Sequence, residues 1–111
     1  MLMGERFIKV IPIYGSTGRE VNNQYIIHAD NMLIFQSYSS IVAEYNGDTG
    51  RIVIDNRLSN SSKTTKRYLI KYLECFPALE DKISEIKKAL KIGNYTVIDI
   101  TKKEIIINSV A

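Results

Sequence analysis

The sequence predicts a single α+β domain over residues 1–111, in which a mostly antiparallel sheet of about five to six strands carries two consecutive helices on one face, in the order βββββ-αα-ββ. Three observations predict it. Short runs rich in β-branched and aromatic residues fill residues 6 to 55 and 95 to 110, with Gly, Asn and Asp breaks between them. Residues 64 to 90 switch to helical spacing. Strands and helices are segregated along the chain, which opposes the alternation of a parallel sheet.

The first strand is expected at residues 6 to 14, and Pro12, which cannot donate to a ladder, places it at a sheet edge. The Gly15-Ser-Thr-Gly18 segment that follows lacks the spacing and the Gly-Lys-Ser/Thr ending of a phosphate loop, so it reads as a turn. Residues 24 to 29 and 32 to 37 form two strands around an Ala29-Asp30-Asn31 turn. Residues 41 to 45 and 51 to 55 form the next hairpin, since Asn46-Gly-Asp-Thr-Gly50 offers two glycines for positive φ. Ile52 and Ile54 then share one face, with Val53 opposite.

Residues 56 to 62 turn abruptly small and polar, which predicts a loop ending in a serine helix cap. In the first helix Leu69, Tyr72, Leu73 and Phe76 stand at i, i+3, i+4 and i+7 and form its apolar stripe. Pro77 stops or restarts the helix, and a second one runs from residue 78 through Leu79, Ile83, Ile86 and Leu90. Its acids come first and its lysines Lys87, Lys88 and Lys91 last, an order that complements the helix dipole, and Gly93 ends it. Residues 95 to 100 and 104 to 110 close the sheet as a hairpin around Thr101-Lys102-Lys103.

Composition excludes several classes of protein. The single Cys75 rules out an internal disulfide framework, and one Cys with one His leaves no structural zinc site. Neither a bilayer-spanning apolar run nor a signal-peptide pattern is present, so the expected setting is the cytoplasm, with no membrane partner. No catalytic or metal residues and no cofactor are expected. His28 reads as a structural or surface residue, with Asp30 its only same-face candidate partner, and Cys75 as a small buried hydrophobe near a helix C-terminus. The carboxylates are scattered, and no nucleophile has a base beside it.

Charge is more informative. The net charge is +3, yet residues 1 to 60 sum to −1 and residues 61 to 111 to +4. The excess begins at Lys63, Lys66, Arg67 and Lys71, all before the first acid at Glu74. Ser62, Thr64 and Thr65 hydroxyls surround the same helix start, where free amides and a partial positive charge already favour a phosphate or an acidic surface. Tyr38, Tyr45 and Tyr68 are the aromatics that could stack on a base beside these cations.

A family likeness is carried by Phe35-Gln-Ser37-Tyr38-Ser-Ser40-Ile-Val42-Ala43 and by Leu58-Ser-Asn-Ser-Ser62-Lys-Thr64-Thr65-Lys66-Arg67-Tyr68. Over residues 33 to 73 the chain resembles small proteins encoded by phages and mobile elements of Gram-positive bacteria. These carry a Ser-Tyr-x-Ser/Thr-x-Val-Ala strand and a Ser-x-Thr-Thr helix start. The chain departs from them in having Arg67 and Tyr68, with no His, after Lys66, and Leu58 in place of an aromatic. The resemblance implies a host bacterial cytoplasm and a phage context, in which small proteins without catalytic residues resemble inhibitors of host defence such as anti-CRISPR proteins.

The functional expectation is therefore a non-enzymatic inhibitor of a host nucleic-acid-handling defence complex, acting by protein–protein interaction. Its partner-binding residues would be Ser62, Lys63, Thr64, Thr65, Lys66, Arg67, Lys71, Tyr38 and Tyr68. The alternative is a direct DNA- or RNA-binding protein of phage gene expression or replication, with the same residues on nucleic acid. A pI near 9.0 opposes a DNA mimic. A homodimer paired through edge strands near Pro12 or Val110 is a further expected partner arrangement.

Overall fold

Seven strands, each hydrogen-bonded antiparallel to the next in the chain, make one open sheet in the order β1-β2-β3-β4-β5-β6-β7. The computed structural model describes residues 8–108. Its strands are β1 Ile8–Tyr14, β2 Glu20–Ala29, β3 Met32–Ser37, β4 Ser40–Asn46, β5 Arg51–Asp55, β6 Tyr95–Asp99 and β7 Glu104–Asn108. The helices follow β5: α1 Asn56–Ser59, α2 Lys63–Leu73, a 3-10 helix Pro77–Lys82 and α3 Ile83–Ala89. The α+β class, the predominant antiparallel sheet and the strand and helix order read from the sequence all hold.

Four details differ. The sheet has seven strands where five to six were expected, because both terminal hairpins join it, β2 against β3 and β6 against β5. β2 starts at Glu20, four residues earlier than its apolar pattern suggests. Residues 56 to 59 are helical where a loop was expected: Asp55 Oδ1 accepts from the Arg57 amide at 3.0 Å and caps a single turn. The second helix is broken in two, since Pro77 opens a 3-10 segment and only Ile83–Ala89 is α-helical. The expected strand ends at Arg6, Phe7, Ser109 and Val110 lie outside the described residues.

All the helices pack on one face. Phe35, Ala43, Tyr45, Ile52, Ile54 and Ile98 point from the sheet into that layer and meet Leu69, Tyr72, Leu73, Phe76, Leu79 and Ile86. Tyr72 ties the layers together: its ring stacks on Phe35 with centroids 5.9 Å apart, meets Phe76 edge-on at 5.4 Å, and its hydroxyl donates to the Leu33 carbonyl at 2.6 Å. Burial pushes that hydroxyl's pKa far upward, so it remains a donor.

The excursion from β5 to β6 is fastened by Asn56. Its buried Nδ2 donates to the Ile92 carbonyl at 2.8 Å beyond the end of α3, and its Oδ1 accepts from Thr96 Oγ1 at 2.9 Å. Asn60 adds a second clamp, with Nδ2 donating to the Leu90 carbonyl at 2.8 Å. These amides satisfy carbonyls that a helix C-terminus leaves without partners.

The opposite face carries no helix. Strand registers line up Val10, Ile27, Ile34, Glu44, Val53, Val97 and Ile106 across all seven strands there. At β4 the pairing shifts between Phe35 and Gln36, and the bulge at Val42 opens a depression of about 220 Å³ among Ile41, Glu44, Val53, Asp55 and Tyr95.

Candidate functional site

The two halves of the motif meet at the start of α2. Ser62 is the N-cap, with its Oγ accepting from the Thr65 amide at 3.0 Å and donating to Thr65 Oγ1 at 2.9 Å. Thr65 Oγ1 in turn lies 2.9 Å from Ser37 Oγ at the end of β3. The Ser-Tyr strand and the Ser-x-Thr-Thr helix start are thus joined by three consecutive hydroxyls. A cavity of about 80 Å³ beside them is lined by Ser37, Tyr38, Ser40, Leu58, Ser61 and Thr65.

This arrangement removes two of the expected binding residues from the surface. Thr65 is 2 % exposed and Tyr68 is also buried, so neither presents a group to a partner. Their positions follow from the helix period: Thr65 and Tyr68 precede Leu69 and Tyr72 by four residues and continue the apolar stripe backwards. Tyr45 likewise packs edge-on to Phe76 at 5.0 Å. Ser61 Oγ donates to the Leu58 carbonyl at 2.7 Å. Much of the hydroxyl richness of this segment is spent on its own backbone.

Tyr38 remains outside. It is 52 % exposed and sits in the two-residue turn between β3 and β4 with φ of 55°, a conformation costly for an aromatic residue. Its amide donates to the Asn23 carbonyl at 2.6 Å, and Asn23 itself has φ of 66°. Two left-handed residues, one in β2 and one in the β3–β4 turn, are thus joined through their backbones. Next to this turn Gln24, the register partner of Ser37, is fully buried, and its amide has no hydrogen-bond partner among the described residues.

The cations divide between two places. Lys63, Thr64, Lys66 and Arg67 are exposed on α2, with Lys71 half-buried, and the Arg67 guanidinium lies 5.6 Å from the Tyr68 ring centroid. Lys66 lines a groove of about 230 Å³ together with Lys87 and Lys91, over Asn60, Ile70 and Leu90. From the sequence, Lys87 and Lys91 complement the dipole at a helix end and carry no binding role. Their spacing of four and their place on the helix that follows α2 were the available signals, but only the packing of the two helices brings them beside Lys66.

Cys75, expected to be buried, is exposed, and its Sγ donates weakly to the Lys71 carbonyl at 3.9 Å. Partial desolvation and the Glu74 charge push its thiol pKa upward, which disfavours the thiolate. β2 ends at Ala29, and Asp30 is in the turn with φ of 54°, so Asp30 does not continue the strand face of His28. Among the described residues no three His, Cys, Asp or Glu side chains are grouped to hold a metal ion, and no helix is long and apolar enough to cross a membrane. A cavity of about 390 Å³ among Leu73, Glu74, Phe76, Pro77, Glu80 and Ile83 is acidic at its rim and lies at the C-terminal end of α2.

No curated protein and no solved structure matches the chain. One family model does match, over residues 8–89, which take in β1 through α3 and both halves of the motif. The chain belongs to DUF8033, a family of unknown function.

Proposed function

We propose that the chain is a non-enzymatic binding module that grips an acidic protein surface through the groove between α2 and α3. In the phage and mobile-element setting that the motif resemblance implies, the partner is a host nucleic-acid-handling defence complex, as for an anti-CRISPR protein. The observation that supports this reading is the convergence of Lys66 from α2, Lys87 from α3 and Lys91 from the turn after α3 over the apolar floor of Ile70 and Leu90. Three cations and no acid line the groove, so it complements carboxylates. No aromatic ring lines it, so a base would find no stacking surface there, and an acidic segment with one aliphatic side chain for the floor suits it better.

Direct binding of DNA or RNA is the second reading, favoured by the exposed Tyr38 ring and by Lys63 and Arg67. The deciding experiment titrates single-stranded and duplex oligonucleotides at rising salt, and then measures cleavage by purified CRISPR effectors with and without the protein. The first reading expects weak oligonucleotide binding and an inhibition that is lost in K66E/K87E/K91E. Tight oligonucleotide binding by the protein alone, weakening steeply with salt, establishes the second reading instead.

A further inference from the structure

We propose that the helix-free face of the sheet is the contact surface of a homodimer, covered in solution by the same face of a second copy of this chain. A sheet with helices on one side ordinarily alternates apolar residues toward the core with polar ones toward water. This one does not. Ile27 and Ile34 on one side of Glu44, and Val53, Val97 and Ile106 on the other, form a largely aliphatic row across it, and Val53, on β5 beside the central strand, is 44 % exposed. An exposed apolar face of that extent marks a contact surface.

Its extent suits a partner of equal size. The strands are five to ten residues long. At ~4.8 Å between strands and ~3.3 Å per residue, the face measures roughly 30 Å by 20 Å, about 600 Å² in projection. Side chains standing off that plane raise the accessible area toward the ~800 Å² per partner of a standard stable interface. Two such sheets pack face to face at ~10 Å, as in a β-sandwich.

One acid and one cation on the face can answer each other across a two-fold axis. Glu44 on β4, the central strand, is exposed and has no ion pair among the described residues, and Arg51 lies one strand away on β5, half-exposed, with its Nε 3.5 Å from Asp99 Oδ2. In an isologous contact residue i meets j and j meets i, so a two-fold axis between these positions sets Glu44 of each copy against Arg51 of the other. The depression at the Val42 bulge lies on the same face and offers room for a protruding aliphatic side chain.

Sedimentation velocity and light scattering on the whole chain test this. The expected mass is twice 12.7 kDa at micromolar concentration. Val53→Lys should weaken association by at least about tenfold while leaving the circular dichroism unchanged, since its side chain is outside the core, and should make the melting temperature less dependent on concentration. Glu44→Lys and Arg51→Glu should each weaken the dimer and together restore it, each variant's melting being measured alongside. A wild-type mass of 12.7 kDa at about 200 µM overturns the proposal, the face then belonging to another partner. A dimer that V53K leaves intact overturns it too, and assigns pairing to the edge strands β1 and β7.

Discussion

The Ser37 and Thr65 hydroxyl oxygens lie 2.9 Å apart, in the buried layer between the sheet and α2, although 28 residues separate them in the chain. Ser62 Oγ completes the relay from the cap. Buried hydroxyls that lose one partner leave the other unsatisfied. Thr65→Val is therefore expected to lower stability by about 1–2 kcal/mol and Ser62→Ala by about 1 kcal/mol in urea unfolding. Because both changes break the same relay, the double variant should cost less than the two separate losses combined.

The three groove lysines are expected to behave oppositely. Each is exposed and none makes a salt bridge among the described residues. Changing Lys66 to Glu should move the unfolding free energy by no more than about 0.5 kcal/mol, and changing Lys87 or Lys91, which complement the α3 dipole, should lower it by no more than about 1 kcal/mol. Partner binding in a pull-down or inhibition assay should fall by at least tenfold (roughly 1.4 kcal/mol) for the triple change. Full activity in the triple variant would sink the groove as the site.

Asn56→Ala tests the clamp between α3 and the closing hairpin. The amide's bonds to Ile92 and Thr96 are both lost, and Thr96 Oγ1 is left buried. A loss of about 2–4 kcal/mol is expected, read as a lower urea midpoint. Hydrogen exchange should speed up first in α3 and β6.

Gln24→Met is expected to be neutral or to stabilise the protein by about 1 kcal/mol, since a buried amide without partners costs free energy that an apolar side chain of similar length avoids. A destabilised Gln24→Met protein would show that the amide is engaged in solution.

Acid should unfold the protein through two carboxylates. Burial on its own would raise the Asp55 pKa, but the Arg57 side chain and the amides of Leu58 and Arg57 outweigh it and hold the group below the usual carboxylate range. The Lys102 amide lowers Asp99 chiefly, with Arg51 assisting against desolvation. A depressed folded-state pKa gives stability that is present above the unfolded-state value of about 4 and lost as pH falls through the folded value. The urea midpoint should hold level between about pH 5 and 8 and drop below about pH 4. Asp55→Asn should lower the plateau and flatten the drop.

How much of this was legible depended on the length of each pattern. β3 and β5 have the bounds expected of them, because a five- or six-residue β-prone run bounded by turn residues states its own ends. α1 escaped because four residues show no period, although Asp55 just before them was the cap that could have marked it. The inward turn of Thr65 was missed because a threonine does not look apolar. Counting back four from Leu69 reaches it. The groove could not be read at all, since Lys66 and Lys87 are brought together by how two helices pack, which no local pattern encodes.

The sheet order has a consequence for how the chain is made. β5 and β6 are neighbours in space, yet the residues between them, 56 to 94, contain every helix among the described residues. Ile52 and Ile54 are thus synthesised long before Thr96 and Ile98, their companions on the finished core face. On the ribosome β1 through β5 can pair as they emerge, hairpin by hairpin. The helical layer cannot be locked until β6 has left the exit tunnel and Thr96 has reached Asn56, so an arrested chain ending within α3 would display β5 as a bare edge.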